Sequence, residues 1–134
     1  MIKVETLGML DIAKSNPVLK SETDVKNYSF LTDSGILYLI ANTIVGDDAY
    51  REDVVIPAGN FLNGYQVDAW AGQKLVVDAK HVTGGIASLH KNDVLVAHTD
   101  GTLKTGSATG VHFVVTDLNV RLTEAAIKVR VVVA

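Results

Sequence analysis

The four histidines of this 134-residue chain are the side chains most suited to acid–base or metal chemistry. A metal site needs several converging ligands, and a His-x-x-x-His pair or a histidine beside a carboxylate cluster is the usual sign of one. The chain has neither, because its histidines are dispersed at His81, His90, His98 and His112. It also has no cysteine, which excludes disulfides, thiolate zinc sites and a cysteine nucleophile. We therefore predict no metal site and no cofactor.

Serine and carboxylate side chains give no stronger indication of catalysis. The chain contains the residue types of a catalytic triad, with Ser88 or Ser107 beside a histidine and an aspartate. It lacks, however, the Gly-x-Ser-x-Gly turn that exposes a serine nucleophile. The acid pairs Asp47-Asp48 and Glu52-Asp53 lack the alternating Asp-x-Asp-x-Asp-Gly order of a calcium loop. These residues are typical of solvated loops, and we predict that the protein has no catalytic residues and is not an enzyme.

Charge and hydropathy exclude two classes of partner. The 12 basic and 15 acidic residues are spread along the chain and leave a formal net charge of -3. No basic stripe is available to neutralise a phosphate backbone, so we expect no nucleic-acid partner. No apolar run approaches the roughly 20 residues that span a bilayer, and the N-terminus lacks a leader pattern. We expect a protein that is synthesised in a cytoplasm and has no membrane partner.

Composition and turn signals predict the elements that would position any site. The chain contains 20 valines, 8 isoleucines and 11 threonines, which favour the pleated surface of a sheet. Turn residues recur between short apolar segments, most clearly at Asp33-Ser34-Gly35, Ala71-Gly72 and Asp100-Gly101. The predicted fold is all-β: a small β-sandwich or partly open β-barrel with at most one or two short helices, in a single domain over residues 1–134.

Four local segments carry specific predictions. Residues 26–41 are predicted to form a hairpin. Residues 65–70 and 73–79 are predicted to form a second hairpin around Ala71-Gly72. Residues 86–89 could form a short edge strand. Leu122 to Ala126 could form a single helical turn.

The N-terminal residues 1–20 form a possible arm. Val4, Leu7 and Leu10 recur at helical spacing, so residues 1–16 are predicted to be a short helix or an ordered extended arm. Apolar side chains at a chain terminus are wet unless a partner buries them, which makes Ile2, Val4, Leu7 and Leu10 candidate capsid or oligomer contacts. A chain starting at Val18 is then expected to fold but to bind its assembly weakly.

Trp70 is a further candidate interface residue. A lone tryptophan in a half-buried strand serves as a core residue or as an interface anchor. A third interpretation groups Trp70, Tyr65 and Tyr28 into a sugar-stacking platform, which would make the protein a carbohydrate-binding surface module.

Three short segments resemble a known family. They are Val54-Val55-Ile56-Pro57-Ala58-Gly59-Asn60-Phe61-Leu62, Asn92-Asp93-Val94-Leu95-Val96 and Asp100-Gly101-Thr102-Leu103-Lys104, followed by the closing strand Ala126-Ile127-Lys128-Val129-Arg130-Val131. In this order they resemble the head decoration, or capsid cement, proteins of tailed bacteriophages. The resemblance covers roughly residues 53 to 133, and the chain departs from shorter family members in carrying the hairpin from Tyr28 to Ile44.

The resemblance implies a non-enzymatic virion structural protein. Such a protein binds the outer surface of the capsid, contacts the major capsid protein and stabilises the shell as a homo-oligomer, often a trimer. It also implies an N-terminal segment that becomes ordered against the shell. The alternatives are a phage tail or baseplate component and the carbohydrate-binding module described above.

Overall fold

The computed structural model describes residues 2–4, 15–41, 54–122 and 124–133, which confirm the predicted all-β fold. Within these residues the helical elements are two short 3-10 helices, Val67–Trp70 and Ala79–His81. No helix in this part of the chain is long and apolar enough to cross a bilayer. The strands, in chain order, are β1 (Ile2–Val4), β2 (Ser15–Lys20), β3 (Val25–Lys26), β4 (Ser29–Asp33), β5 (Ile36–Ile40), β6 (Val55–Ile56), β7 (Phe61–Gln66), β8 (Lys74–Asp78), β9 (Val94–Ala97), β10 (Leu103–Thr105), β11 (Val111–Arg121) and β12 (Ala125–Val133).

Six strands form the larger sheet, in the order β1-β8-β12-β11-β9-β10. Its centre is the long antiparallel pair β11 and β12, in which Phe113 lies opposite Val131 and Val115 lies opposite Val129. Phe113 and Val115 of β11 and Ile127, Val129 and Val131 of β12 are 0% exposed at alternate positions, as one core face of a sheet requires.

Four strands form the second sheet, in the order β2-β7-β5-β4. The first predicted hairpin is confirmed as β4 and β5, joined by Ser34 and Gly35 at φ values of 51° and 80°. Two consecutive positive φ angles are typical of the type I′ turn, whose twist matches that of the flanking strands. A separate pair, β3 and β6, lies outside both sheets, and β6 ends directly before Pro57 because proline cannot donate to the ladder.

The main core lies between the two sheets. The Phe30 ring of β4 meets the Phe113 ring of β11 at a centroid distance of 5.3 Å. A second cluster lies on the other face of the four-stranded sheet and includes Tyr38, Ile40 and Leu62, with Ile56 packed against them from β6. The small β3–β6 pair therefore contributes to covering the outer face of the second sheet.

The predicted Asp100-Gly101 turn is confirmed, and it also closes one side of the sandwich. It joins β9 to β10, which pair antiparallel. The Gly101 carbonyl accepts a hydrogen bond from the Phe30 amide at 2.8 Å. The turn thereby connects the larger sheet to the edge strand β4 of the second sheet.

The predicted hairpin around Ala71-Gly72 is wrong. The turn exists, with Gly72 at a φ of 81°, but β7 pairs with β2 and β5 while β8 pairs with β1 and β12. Val67 to Trp70 form a 3-10 helix with Val67 and Trp70 buried, and the chain crosses here from one sheet to the other. Burial of these two side chains outweighs the alternation that suggested a straight strand.

Two smaller predictions are also wrong. Residues 86–89 form turns rather than an edge strand, with the Leu89 amide bonded to the Ile86 carbonyl at 3.2 Å. Residues 122 and 124–126 contain no helical turn, because the Leu122 amide bonds to the Glu124 carbonyl at 3.0 Å and β12 begins at Ala125. In both places a short-range backbone hydrogen bond forms a turn, and the weak local propensity for a strand or helix does not decide the structure.

The N-terminal segment is not a free arm where it is described. β1 pairs antiparallel with β8 in the larger sheet, and β2 pairs with β7 in the second. Each is the edge strand of its sheet. Residues 5–14, with the rest of the predicted helix, lie outside the described residues. Because residues 2–4 and 15–20 belong to the sheets, a chain starting at Val18 is no longer expected to fold normally.

Candidate functional site

Two of the predicted interface residues lie inside the chain's own core. Ile2 is 0% exposed and Trp70 is 2% exposed. Both belong to the main cluster between the sheets, so neither side chain is available to a partner, which corrects that prediction. Val4 lies in β1, at the edge of the larger sheet, while Leu7 and Leu10 lie outside the described residues.

The aromatic side chains form no sugar-stacking platform. Trp70 stacks on Tyr65 with ring centroids 6.4 Å apart and an interplanar angle of 21°. Tyr65 is 8% exposed and Tyr28 is 1% exposed, so all three rings face the interior. Trp70 Nε1 has no hydrogen-bond partner within the described residues. A sugar needs an accessible ring face, and the carbohydrate-binding interpretation therefore loses the residues on which it depended.

Two histidines stand beside aspartates, but each pair belongs to a turn. His98 Nδ1 lies 3.2 Å from Asp100 Oδ1, and the same oxygen accepts hydrogen bonds from the Thr102 amide and hydroxyl. The Thr102 hydroxyl and amide are the main reason that the pKa of Asp100 is lowered to about 2. His90 and Asp93 form a similar turn, in which the His90 amide donates to Asp93 Oδ2 at 2.8 Å. Within the described residues no group of three potential metal ligands converges.

His81 is the buried titratable group of greatest interest. It is 9% exposed and lies against the Tyr28 ring at a centroid distance of 6.1 Å, beside a cavity of about 260 Å³. Burial is the main cause that lowers its pKa from 6.5 to about 3, and the positive charges of Lys80 and Lys26 add to it while Asp78 opposes it. His81 is therefore neutral in the folded protein at neutral pH.

This pKa gives a testable pH dependence. Between pH 6.5 and 3 the unfolded chain binds a proton at His81 that the folded chain does not, so stability falls as the pH falls through this range. From pH 7 to pH 5 the loss should be about 2 kcal/mol, and it should disappear in a His81→Asn variant. Asp100 contributes in a lower pH range. Because its pKa is lowered from 3.8 to about 2 in the folded chain, the stability that it contributes is lost as the pH falls from 3.8 to 2.

Urea unfolding at a series of pH values measures this dependence. A His90→Asn variant is the matched control, since its side chain is 85% exposed, and it should keep the wild-type slope. An unchanged slope in His81→Asn would show that His81 does not control acid sensitivity.

The N-terminal strands create the clearest candidate contact region. β1 and β2 each have one neighbour in their sheet, so each presents an edge where, in the described part of the chain, no further strand pairs. We call these two strands the N-terminal edge. Open edges expose unpaired amide and carbonyl groups and are covered in native proteins by bulges, charges or another chain.

Phe61 lies beside this edge and is not among the interface residues predicted from the sequence. It stands opposite Lys20 in the β2–β7 register and is 60% exposed, with Lys20 Nζ 4.4 Å from the ring centroid. The sequence carries no signal that separates Phe61 from Leu62, because both are apolar, and the structure shows Leu62 1% exposed and Phe61 60% exposed. An exposed phenylalanine next to an open sheet edge is typical of a contact surface.

Comparisons with protein-family models, with curated proteins and with solved structures give no match to this chain. What the protein does is therefore inferred from its own geometry and from the resemblance over residues 53–133.

Proposed function

We propose that this chain is a non-enzymatic virion structural protein, a head decoration or cement protein of a tailed bacteriophage. It binds the outer surface of the capsid, contacts the major capsid protein and stabilises the shell. The observation that carries the proposal is the N-terminal edge: one segment of the chain supplies an edge strand to both sheets, with exposed Phe61 beside it. This arrangement suits contact with other chains, and the family resemblance over residues 53–133 supports the same function.

The same edge favours a homo-oligomer as the working form. An edge strand left open invites pairing, and closed assemblies cover such edges with a copy of the same surface or with the next subunit of a ring. A trimer is the state that the resemblance implies. Within an assembled ring, the N-terminal edge and Phe61 would be covered by the neighbouring copy.

Co-sedimentation with capsid shells tests the proposed function. Shells assembled from the major capsid protein of the same phage are mixed with the purified full chain and pelleted. The chain should enter the pellet, saturate at a fixed ratio to capsid subunits and raise the temperature at which the shells disrupt. A chain that stays in the supernatant at all concentrations would contradict the function.

A Phe61→Ser variant tests the oligomer contact. Its side chain is already 60% exposed, so the substitution should change the free energy of unfolding by at most about 0.5 kcal/mol. Removing an aromatic anchor from an interface costs about 2 kcal/mol of association free energy, or roughly 30-fold in affinity. Sedimentation equilibrium should therefore show a marked shift towards the monomer.

A Val133→Ser variant is the control for this experiment. Val133 is 48% exposed but lies at the end of β12, in the middle of the larger sheet rather than at its edge. It should keep the wild-type association state. Equal association of wild type and Phe61→Ser would remove Phe61 from the oligomer interface.

A further inference from the structure

The outer face of the larger sheet is defined by alternation along its strands. Inward-pointing residues such as Leu75, Leu95, Phe113 and Val129 are 0% exposed. Their strand neighbours point the opposite way, away from the core. Val76 and His112 among them are buried, at 7% and 5% exposed. We call the exposed and partly exposed ones the outer sheet face: Lys74, Val94, Val96, Lys104, Val114, Lys128, Arg130 and Val132.

The strand register brings cations together on this face. Arg130 lies opposite Lys74 on one side and opposite Val114 on the other. Like charges directly opposite each other in a sheet are destabilising, so folding alone does not favour this arrangement. Lys128 lies two residues before Arg130 on the same face of β12. Lys104 lies opposite Val96, on the edge strand β10 of the same sheet.

Within the described residues, Asp117 offsets part of this charge. Asp117 Oδ2 lies 3.3 Å from Lys74 Nζ, and its pKa is lowered first by the Thr116 hydroxyl and then by Lys74, with Lys128 contributing. Asp117 is therefore anionic at neutral pH. In the described part of this face, Arg130 and Lys104 remain as cations outside that pair, on a chain whose net charge is -3.

Arg130 and Lys104 carry the charge that a partner can reach. Both are exposed, and within the described residues neither has a carboxylate at ion-pair distance. Between them lie partly exposed valines, with Val114 directly opposite Val94. Charge and apolar surface therefore alternate across one sheet face.

The two sheets differ in how their outer faces are covered. On the second sheet, Tyr38, Ile40 and Leu62 belong to the second cluster, where Ile56 helps to cover them, and they are 4%, 0% and 1% exposed. The outer sheet face instead keeps exposed or partly exposed cations and valines. Of the two, it is the face that offers a broad sheet surface to a partner.

We propose that the outer sheet face docks on an acidic protein surface, which under the proposed function is the exterior of the capsid shell. Valine rows between the cations favour a protein partner, because burying them adds a hydrophobic contribution that a phosphate backbone does not supply. The His112 ring on this side of the sheet is 5% exposed, so the described part of this face offers no accessible aromatic ring on which bases stack. Complementary charge would steer the encounter and fix the orientation of the bound chain. This inference rests on the proposed function, since the shell supplies the acidic partner.

The test compares two double variants in shell binding at low ionic strength. Arg130→Glu with Lys104→Glu reverses the two accessible cations, while Lys26→Glu with Lys91→Glu makes the same change in net charge at exposed positions outside the face. The first pair should weaken shell binding at least about 10-fold and flatten its salt dependence, because like charges then oppose across the interface. The control pair should bind within about 2-fold of wild type. Circular dichroism and thermal melts confirm that both are folded.

The outcomes separate this inference from the proposed function. If wild type binds shells and both double variants bind them equally well, docking through the outer sheet face is overturned and the function stays intact. Wild type that binds no shells would overturn the function and this inference together. Tight binding of wild type to duplex DNA, lost in Arg130→Glu with Lys104→Glu, would assign the face to nucleic acid and overturn the proposal.

Discussion

An Ile2→Ala variant should lose about 2 to 5 kcal/mol of the free energy of unfolding, the range for truncating a fully buried isoleucine. Ile2 is 0% exposed in the main core and lies opposite Val77 in the β1–β8 register. A small domain is stable by about 5 to 15 kcal/mol, so the variant should be severely weakened. A chain starting at Val18 should not fold cooperatively, because it also loses residues 15–17 of β2.

Urea unfolding of Ile2→Ala beside Val133→Ala measures this effect. Val133 is an aliphatic strand residue near the other end of the chain but is 48% exposed, so its truncation should change stability by at most about 0.5 kcal/mol. Equal stability of the two variants would mean that Ile2 is not buried in the core, and would restore the free N-terminal arm predicted from the sequence.

A Gly101→Ala variant should be destabilised by about 2 to 5 kcal/mol, from two separate causes. Gly101 has a φ of 88°, and a side chain in the left-handed region costs about 1 to 2 kcal/mol. A Cβ at this position would also lie 2.7 Å from Ser29 Cβ, and such overpacking costs about 1 to 3 kcal/mol more. The Ser29 atom belongs to β4, so relief of the clash would pull the turn away from Phe30.

Gly84→Ala isolates the first cause, the backbone contribution. Gly84 has a φ of 79°, and a Cβ there would meet no atom within 4 Å. It should therefore lose only the backbone contribution of about 1 to 2 kcal/mol. The difference between the two melting curves reports the contact that closes the sandwich, and identical losses would show that the Gly101 turn does not pack against β4.

Turn chemistry was the part of the fold that the sequence predicted best. Ser34, Gly35 and Gly101 have positive φ values, and both turns lie where residue types alone placed them. Pairing was less predictable. Alternation of polar and apolar residues around Ala71-Gly72 indicates strands but does not show which strands they pair with. Trp70 instead points inward, as part of a 3-10 helix that crosses between the sheets.

The candidate contact surfaces were only partly predictable for the same reason. An apolar residue at a chain terminus can be buried by a partner or by its own domain, and for Ile2 the domain does so. Alternation of Lys128 and Arg130 with Ile127 and Val129 is visible in the sequence and identifies an outer face of β12. The opposition of Arg130 to Lys74 depends on strand register over more than 50 residues of sequence separation, which local pattern does not encode.

A cryo-electron microscopy reconstruction of the virion tests most directly whether this chain is a head decoration protein. We predict density for this two-sheet domain at regular lattice positions on the outside of the capsid, with the outer sheet face of Arg130 and Lys104 against the shell. Density for the domain in the tail or baseplate, or purified virions that lack the chain, would contradict its assignment as a decoration protein.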